Sequence, residues 1–304
     1  MMDAKTVIII TGPTAAGKTA LSLAVARQFQ TSIISADSRQ CYRELNIGVA
    51  KPSAEALQEI RHEFINSHSI QEEVNAALFE ELALQWVNEI FKDHDVVVMV
   101  GGTGLYLKAF YEGMDPMPPT DKQFRTEIRE KYKQNGLLWL QQQISLKDPE
   151  FDKSGETQNP QRMMRALEVM ASTGRSVLSF RNMPKKSRPF RIISFGLQTP
   201  KDILYRRIDD RVDLMMESGL LDEVRSLLPF QELNALQTVG YSELFDYLNG
   251  KSALPDAILK IKQHTKNYAK RQMTWFKKNP AIRWTEKNPL REILDQYRSE
   301  SLSG

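Results

Sequence analysis

Residues 12–19 read GPTAAGKT and match the pattern GxxxxGK[ST] in full. Glycines in this pattern let backbone amides turn inward around phosphate oxygens, and the helix that follows adds the positive end of its dipole. Lys18 would reach the terminal phosphates, and the hydroxyl of Thr19 would bind Mg²⁺. A chance glycine-rich turn is the alternative, but the motif lies between a predicted strand and a predicted helix. We therefore predict a phosphate site at Gly12, Pro13, Thr14, Ala15, Ala16, Gly17, Lys18 and Thr19.

The segments around this loop alternate between short β-rich runs and helical stretches. Residues 5–11 (KTVIIIT) predict a buried strand, and residues 18–28 predict a helix rich in Ala and Leu. Further strands are predicted at 31–36, 95–100 and 192–197. Such alternation is typical of a parallel α/β sheet. We predict the α/β class, with a P-loop NTPase-like parallel sheet flanked by helices.

A change of composition interrupts this pattern. Residues 113–120 (GMDPMPPT) are rich in Pro and Gly, which marks a boundary, and the chain from there to about Phe180 shows helical patterns and no convincing strand. A second stretch rich in Pro and basic residues, 182–191, precedes the next strand. We predict an all-helical insertion domain at 117–189, which divides the core domain into 1–116 and 190–304.

The composition excludes several classes of protein. The chain has 304 residues, of which 41% are hydrophobic and 26% are charged, values that are ordinary for a soluble globular protein. Its longest apolar runs, 7–10 and 96–100, are far shorter than the roughly 20 residues that cross a bilayer, and no cleavage site follows the first run. Cys41 is the only cysteine, which excludes an internal disulfide and fits a reducing compartment. We expect a cytoplasmic protein with no membrane partner.

The positive charges are clustered, although the net charge is only +3. Residues 260–278 contain seven Lys or Arg and no acid, and they place Lys262, Lys266 and Lys270 on one face of a predicted helix. A second cluster consists of Lys185, Lys186, Arg188 and Arg191. Such clusters suit an anionic polymer; a solvated helix face is the alternative, and we favour RNA backbone. On the same helix, an apolar stripe predicted as core consists of Ile261, Tyr268 and Trp275.

Asp37 ends the predicted strand at 31–36 and would project from the carboxyl edge of the sheet, where open α/β sheets bind ligands. It could act there as a general base, or it could cap the turn that begins at Ser38. An ordinary NTPase carries an Asp at the end of a later apolar strand. Here that strand runs into Gly101, Gly102 and Thr103 with no acid. The loop thus predicts phosphate binding, and not ATP hydrolysis.

Seven short motifs, in order over roughly residues 8–275, resemble those of the tRNA dimethylallyltransferase family. They are GPTAAGKT at 12–19, DSRQCY at 37–42, IGVAKP at 47–52, GGTGLY at 101–106, NPQR at 159–162 with RALE at 165–168, RI at 207–208 with RVD at 211–213, and VGY at 239–241. The combination of DSxQxY with GGTGLY is specific, whereas the phosphate loop by itself is generic. One cysteine cannot supply the zinc finger that some eukaryotic relatives carry, so the chain resembles the short bacterial form.

The resemblance implies transfer of a dimethylallyl group from dimethylallyl diphosphate to the exocyclic amine of the adenosine immediately 3′ of the anticodon in certain tRNAs. The phosphate loop then holds a diphosphate leaving group with Mg²⁺. By resemblance, Asp37 takes the amine proton, Thr19 and Thr103 contact substrate, and Arg211 lies near the diphosphate. A surface ion pair is the alternative for Arg211, since acids surround it at Asp209, Asp210 and Asp213.

The resemblance also implies a tRNA anticodon stem-loop as partner. Gln40 suits an adenine edge because it offers both a donor and an acceptor, and the arginines of the insertion would grip the stem, although they could also be solvated charges. The implied tRNA-contacting residues are Asp37, Ser38, Arg39, Gln40, Thr103, Arg125, Gln161, Arg162, Met163, Met164 and Arg165.

Three other functions stay open at this stage. A small-molecule or nucleotide kinase would use the same loop and a carboxylate on the second strand. A prenyltransferase acting on free adenine nucleotides is closer to the motifs, but it leaves the helical insertion unused. A non-catalytic RNA-binding protein leaves Asp37 and Thr103 without a role. We favour tRNA prenylation by a monomer.

Overall fold

The computed structural model describes residues 5–181 and 184–301. The chain divides after Glu112 and again after Lys186 into two compact units, of which the first is formed by the two outer segments and the second by Gly113–Lys186. The sequence placed the insertion at 117–189, a few residues later at each end. None of the helices in the described ranges combines the length and the apolar character that crossing a bilayer requires.

A six-stranded parallel sheet forms the centre of the first unit, in the order β3-β2-β4-β1-β5-β6. The strands are β1 (Thr6–Thr11), β2 (Ile33–Ser35), β3 (His62–Glu63), β4 (Val96–Gly101), β5 (Arg191–Leu197) and β6 (Ile282–Thr285). Every residue of β1 is buried, as expected for a central strand of a parallel sheet with helices on its faces. Thr11 pairs with Gly101 on one side and Gly196 on the other, so three central strands end side by side. The predicted α/β class is confirmed.

The α-helices of the described residues follow in chain order. They are α1 (Lys18–Phe29), α2 (Ala54–Glu59), α3 (Ala76–Ile90), α4 (Gly104–Glu112), α5 (Lys122–Lys147), α6 (Pro149–Lys153), α7 (Pro160–Thr173), α8 (Lys201–Glu217), α9 (Leu220–Ser226), α10 (Tyr241–Leu248), α11 (Leu254–Phe276) and α12 (Pro289–Ser301). One core cluster joins β1 and β4 to α1, α8 and α12 through residues such as Ile8, Val98, Val25, Ile208 and Ile293. This packing fixes the phosphate loop between a buried strand and a buried helix.

The second unit is helical in its described residues and has a core of its own. Helix α5 contains a non-helical residue, Gly136, with a φ of 70°, where two helical segments meet at a kink. Leu140 and Ile144 from α5 pack with Phe151 from α6 and Leu167 from α7. The second unit is therefore stabilised by its own hydrophobic core.

The structure gives some cations of both basic clusters partners within the protein. Lys262 donates to Asp213 at 2.7 Å and Lys266 donates to Asp209 at 2.8 Å, so these two lysines join α11 to α8. Arg188 is buried, and it donates to Glu80 at 2.9 Å and to the backbone oxygen of Phe110 at 2.8 Å. These three cations neutralise acids of the protein itself, and Arg188 also caps the end of α4. The other five basic residues of 260–278 are exposed, so RNA binding by them stays a prediction; they are Lys260, Lys270, Arg271, Lys277 and Lys278.

The apolar stripe predicted along α11 holds only in part. Ile261 is buried, but the side chain of Trp275 is 39% exposed. Trp275 packs on Gly104, where a Cβ atom would lie 2.3 Å from the indole ring. In the same last turn of the helix Phe276 is buried, so the buried face there runs through Phe276 and not through Trp275.

Candidate active site

The phosphate loop depends on glycine at two positions. Gly12 has a φ of 139°, and a Cβ atom there would lie 2.9 Å from the backbone oxygen of Leu197. Gly17 has a φ of 93° and precedes α1 without a side-chain cap for the first amides of the helix. Ala15 adopts a left-handed φ of 63° between them. The loop therefore presents the positive end of α1, which favours an anion.

A cavity of about 400 Å³ opens beside this loop. Its polar lining comes from Thr14, Lys18, Thr19, Asp37, Gln40, Arg207 and Arg211. Its apolar lining comes from Val49, Ala50, Pro52, Ile65 and Val100. The same cavity thus offers cations for phosphate, a carboxylate, and a hydrocarbon surface.

Lys18 and Arg211 are the principal cations of the cavity. Lys18 donates to the backbone oxygen of Pro13 at 2.7 Å. Burial lowers the pKa of Lys18 to about 8, with Asp37 opposing the shift and Arg211 adding to it. Burial also lowers the pKa of Arg211, and Asp37 again opposes it. The three groups form one cluster in which a bound diphosphate would relieve the repulsion between two cations.

Arg211 points into the loop, and not toward the acids next to it on α8. Its guanidinium approaches the hydroxyl of Thr14 at 3.4 Å. The alternative of a surface ion pair fails for Asp209 and Asp213, because these two acids pair with Lys266 and Lys262. The resemblance therefore placed Arg211 better than its charged surroundings did.

Asp37 occupies the turn that follows β2 and also lines the cavity. Its Oδ1 accepts from the amide nitrogens of Arg39 at 2.9 Å and Gln40 at 3.3 Å. The hydroxyl of Thr103 accepts from the amide of Ser38 at 3.0 Å. Asp37 therefore caps the turn, as one of its two predicted roles requires, and Thr103 supports the same turn. Its carboxylate also lies at the cavity, where the role of general base stays a prediction.

The remaining residues of the DSRQ segment have partners within the protein. Gln40 accepts from Ser35 at 3.1 Å through Oε1, and its Nε2 donates to the backbone oxygen of Ala50 at 3.1 Å. Arg39 donates to the backbone oxygens of Asn234 at 3.0 Å and Gln237 at 3.4 Å. An adenosine read by Gln40 would have to replace these internal bonds.

The predicted RNA contacts of the second unit fall into two groups. Arg125 and Arg165 lie at 3.5 and 3.4 Å from the buried carboxylate of Glu168, and Arg162 pairs with Glu156. Gln161 is exposed beside Arg162. By contrast, the side chains of Met163 and Met164 are 0% and 5% exposed, so they serve the core of this unit and offer no surface to RNA.

Sequence reasoning missed Gln272, a buried residue of α11. Its Oε1 accepts from the amide of Thr14 at 2.8 Å, and its Nε2 donates to the backbone oxygen of Gly102 at 2.9 Å. Gln272 thereby joins the phosphate loop to the segment before Thr103. The available signal was a polar residue on the buried face of the helix, between Ala269 and Phe276.

The residues at the cavity fit a magnesium ion that arrives with a diphosphate. In the ranges 5–181 and 184–301, no three His, Cys, Asp or Glu side chains lie together as a metal site. Thr19 and Asp37 nevertheless supply one hydroxyl and one carboxylate to the same cavity. Mg²⁺ is commonly held by one or two such ligands together with substrate phosphates and water.

The sheet, the glycine loop and its cavity define an α/β protein of the P-loop-like class, and comparison with known proteins narrows this class. Residues 40–279 match the family model described as IPP transferase. A tRNA dimethylallyltransferase 1 from Bacteroides thetaiotaomicron is 44% identical over 298 residues, which cover 98% of this chain and 97% of that protein. The chain belongs to the IPP transferase family.

Solved structures agree with this assignment. The crystal structure of a full-length tRNA isopentenylpyrophosphate transferase from Bacillus halodurans matches with a TM-score of 0.72 and 32% identity, covering 98% of both chains. A eukaryotic dimethylallyltransferase acting on tRNA matches with a TM-score of 0.73 and 25% identity, covering 93% of this chain and 74% of that one. The fold and the family predicted from the motifs are therefore confirmed.

Proposed function

We propose that this chain transfers the dimethylallyl group of dimethylallyl diphosphate to the exocyclic amine of the adenosine immediately 3′ of the anticodon in tRNA, with release of diphosphate. One observation carries the proposal: a single cavity combines a phosphate loop, three cations (Lys18, Arg207 and Arg211), a carboxylate and an apolar lining. Dimethylallyl diphosphate has a head with several negative charges and a short hydrocarbon chain, and this cavity offers a surface for each.

Different residues act on the leaving diphosphate and on the attacking amine. As the bond between the allylic carbon and the diphosphate oxygen breaks, negative charge grows on the diphosphate, where Lys18, Arg211 and the amides of α1 stabilise it. The amine nitrogen then forms its bond to the allylic carbon. Asp37 accepts the proton that the nitrogen loses, which keeps the product neutral. Bound Mg²⁺, held at Thr19, would neutralise further charge on the diphosphate.

The tRNA would be held by groups from both units. A target base inside a stacked loop must be extruded before its amine can react. Gln40 lines the cavity, and we propose that it reads the edge of this base. In the second unit we propose Arg125, Gln161, Arg162 and Arg165 as contacts to the anticodon stem. The chain is proposed to act as a monomer in the cytoplasm.

The test of this function is transfer of label. Purified protein is incubated with Mg²⁺, radiolabelled dimethylallyl diphosphate and unmodified tRNA, and a nuclease digest locates the label. We expect label on the adenosine beside the anticodon. Phosphate transfer from ATP to a small acceptor, with no label on tRNA, would instead support a kinase.

Asp37 is tested in the same assay by Asp37→Asn, which keeps the size of the side chain and removes its basicity. We expect kcat to fall by about 10²–10⁴-fold, the usual contribution of a general base, while KM for dimethylallyl diphosphate changes little. Asp37→Ala serves as a second variant that also removes the turn cap. Transfer at the full rate in both variants would exclude Asp37 as the base and leave the function intact.

A further inference from the structure

The carboxylate of Glu223, on α9, binds four donors that lie far from it in sequence. Its Oε2 accepts from the amide nitrogens of Asn46 at 3.1 Å and Ile47 at 2.8 Å. Its Oε1 accepts from the amide of Gly48 at 3.1 Å and from the hydroxyl of Tyr241 at 2.5 Å. Hydrogen bonds to a charged acceptor are about twice as strong as neutral ones. The carboxylate of Glu223 therefore holds the backbone of residues 46–48 firmly in place.

Tyr241 contacts both Glu223 and the backbone at Gly48. Its side chain is fully buried, and burial together with the charge of Glu223 raises its pKa, so the hydroxyl keeps its proton and donates. A Cβ atom on Gly48 would lie 2.6 Å from the Tyr241 ring. The motifs IGVAKP and VGY, to which the reaction assigns no role, therefore meet at Glu223.

The 46–50 loop held in this way forms part of the cavity. Val49 and Ala50 line it directly, and Ala50 has a left-handed φ of 49°. A non-glycine residue keeps such a conformation only where the surrounding structure imposes it. Gln40 also binds this loop, with Nε2 at 3.3 Å from the oxygen of Val49, but Gln40 is proposed to release it for the adenosine. Glu223 stays outside the cavity lining, so its bonds can persist through the reaction.

We propose that Glu223 is a positioning residue that fixes the 46–50 loop as the apolar wall of the cavity and thereby sets the length of the isoprenoid chain that the enzyme accepts. This inference rests on the proposed function. The amides of the phosphate loop, Lys18 and Arg211 would bind the diphosphate head of any isoprenoid equally well. Selection by length must therefore come from the apolar wall, and a wall that moves would admit a longer chain.

The experiment compares dimethylallyl diphosphate with geranyl diphosphate, which has the same head and allylic carbon but twice the number of carbons. Transfer to tRNA is measured for the wild type, Glu223→Ala, Glu223→Gln, and Glu217→Ala as a matched control at an exposed residue of α8. We expect the ratio of kcat/KM for the two diphosphates to shift toward geranyl by at least tenfold in Glu223→Ala. Glu223→Gln, which keeps one accepting oxygen, should shift it less, and Glu217→Ala should not shift it.

The inhibition constant of inorganic diphosphate separates positioning from general damage. Inorganic diphosphate lacks the hydrocarbon, so we expect its inhibition constant to stay within twofold of the wild type in both Glu223 variants. An unchanged substrate ratio in folded Glu223→Gln, or a loss of diphosphate binding by the same factor as dimethylallyl diphosphate, would overturn the proposal. If Glu223→Ala does not fold, the substrate ratio and the inhibition constant of Glu223→Gln test the proposal. Absence of transfer in the wild type would instead refute the proposed function itself.

Discussion

The surroundings of Lys18 lower the pKa of its side chain. Burial and the neighbouring Arg211 lower its pKa to about 8 in the free protein, against the pull of Asp37. A lysine is charged below its pKa and neutral above it, so the cation that meets the diphosphate is lost as the pH rises through 8. The binding of dimethylallyl diphosphate should therefore weaken on the alkaline side.

We expect kcat/KM for dimethylallyl diphosphate to decline above a pH of about 8, by up to tenfold per unit, because this parameter follows the ionisation of the free enzyme. Lys18→Arg should remove the decline, since an arginine stays charged over this range. The measurement is kcat/KM across the alkaline range for both proteins. An equal decline in Lys18→Arg would assign the ionisation to another group.

Gln272 holds two segments of the site in place without lining the cavity. Its replacement by Met keeps the length of the side chain but leaves the amide of Thr14 and the oxygen of Gly102 without this partner. Each buried group left unpaired costs about 1–3 kcal/mol, so the free energy of unfolding should fall in a urea titration.

KM for dimethylallyl diphosphate should rise in the same variant, because Thr14 also contacts Arg211. Thr14→Val is the matched comparison, since it keeps the backbone bond to Gln272 and loses only the hydroxyl. A loss of stability in Gln272→Met with an unchanged KM would show that Gln272 has no influence on the diphosphate.

At the level of elements, the end of α4 depends on a buried cation. Arg188 donates to the last-turn oxygens of Ala109 and Phe110 and pairs with Glu80 on α3, and both charged side chains are 8% exposed. Removing one partner of a buried pair leaves an uncompensated charge, which typically costs 3–5 kcal/mol. The pair therefore joins α3 to α4, the helix that begins directly after Thr103.

We expect Arg188→Met to lower the free energy of unfolding by about 3–5 kcal/mol in urea titrations, and Arg188→Met with Glu80→Gln to recover part of the loss. The control is Arg27→Met, whose partner Glu59 lies at the surface, with side chains 53% and 47% exposed. Exposed pairs contribute about 0–1 kcal/mol. Equal losses for the two arginines would contradict the importance of burial.

The whole molecule combines a catalytic unit with a helical unit that carries its own core. If the second unit binds the anticodon stem, its exposed arginines should affect tRNA and leave dimethylallyl diphosphate unaffected. Arg162 now pairs with Glu156, so a phosphate would have to compete with this acid. A contact between Arg162 and a phosphate would release counterions from the RNA, so tRNA affinity should fall as the salt concentration rises.

We expect Arg162→Ala to raise KM for tRNA several-fold and to reduce the dependence of tRNA affinity on salt by about one unit of slope, as loss of one phosphate contact does. KM for dimethylallyl diphosphate should stay constant. The matched control is Arg129→Ala, an exposed arginine of α5 outside the family motifs. Identical effects of the two variants would mean that only general positive charge matters.

Local sequence determined the class of the protein and the centre of its site. Strand β1, the loop at Gly12 and Gly17, and helix α1 were predictable because strand burial, glycine geometry and helix formation depend on neighbouring residues. Asp37 was predictable at the edge of the sheet for the same reason, since it directly follows a strand. Strands β3 and β6 were not predicted. The two residues of β3 are only half-buried, and only the first and last residues of β6 are buried, so neither has the continuous apolar run that marked the similarly short β2.

The tertiary structure alone decided which distant groups meet. Thr14 and Gln272 are 258 positions apart, and Gly48 and Glu223 are 175 apart, so no local pattern joins them. The sequence could not show that Lys262 and Lys266 face acids of α8, or that Arg188 faces Glu80 of α3. A local pattern can specify the shape of a loop or strand, but the partner of a charge depends on how distant segments pack.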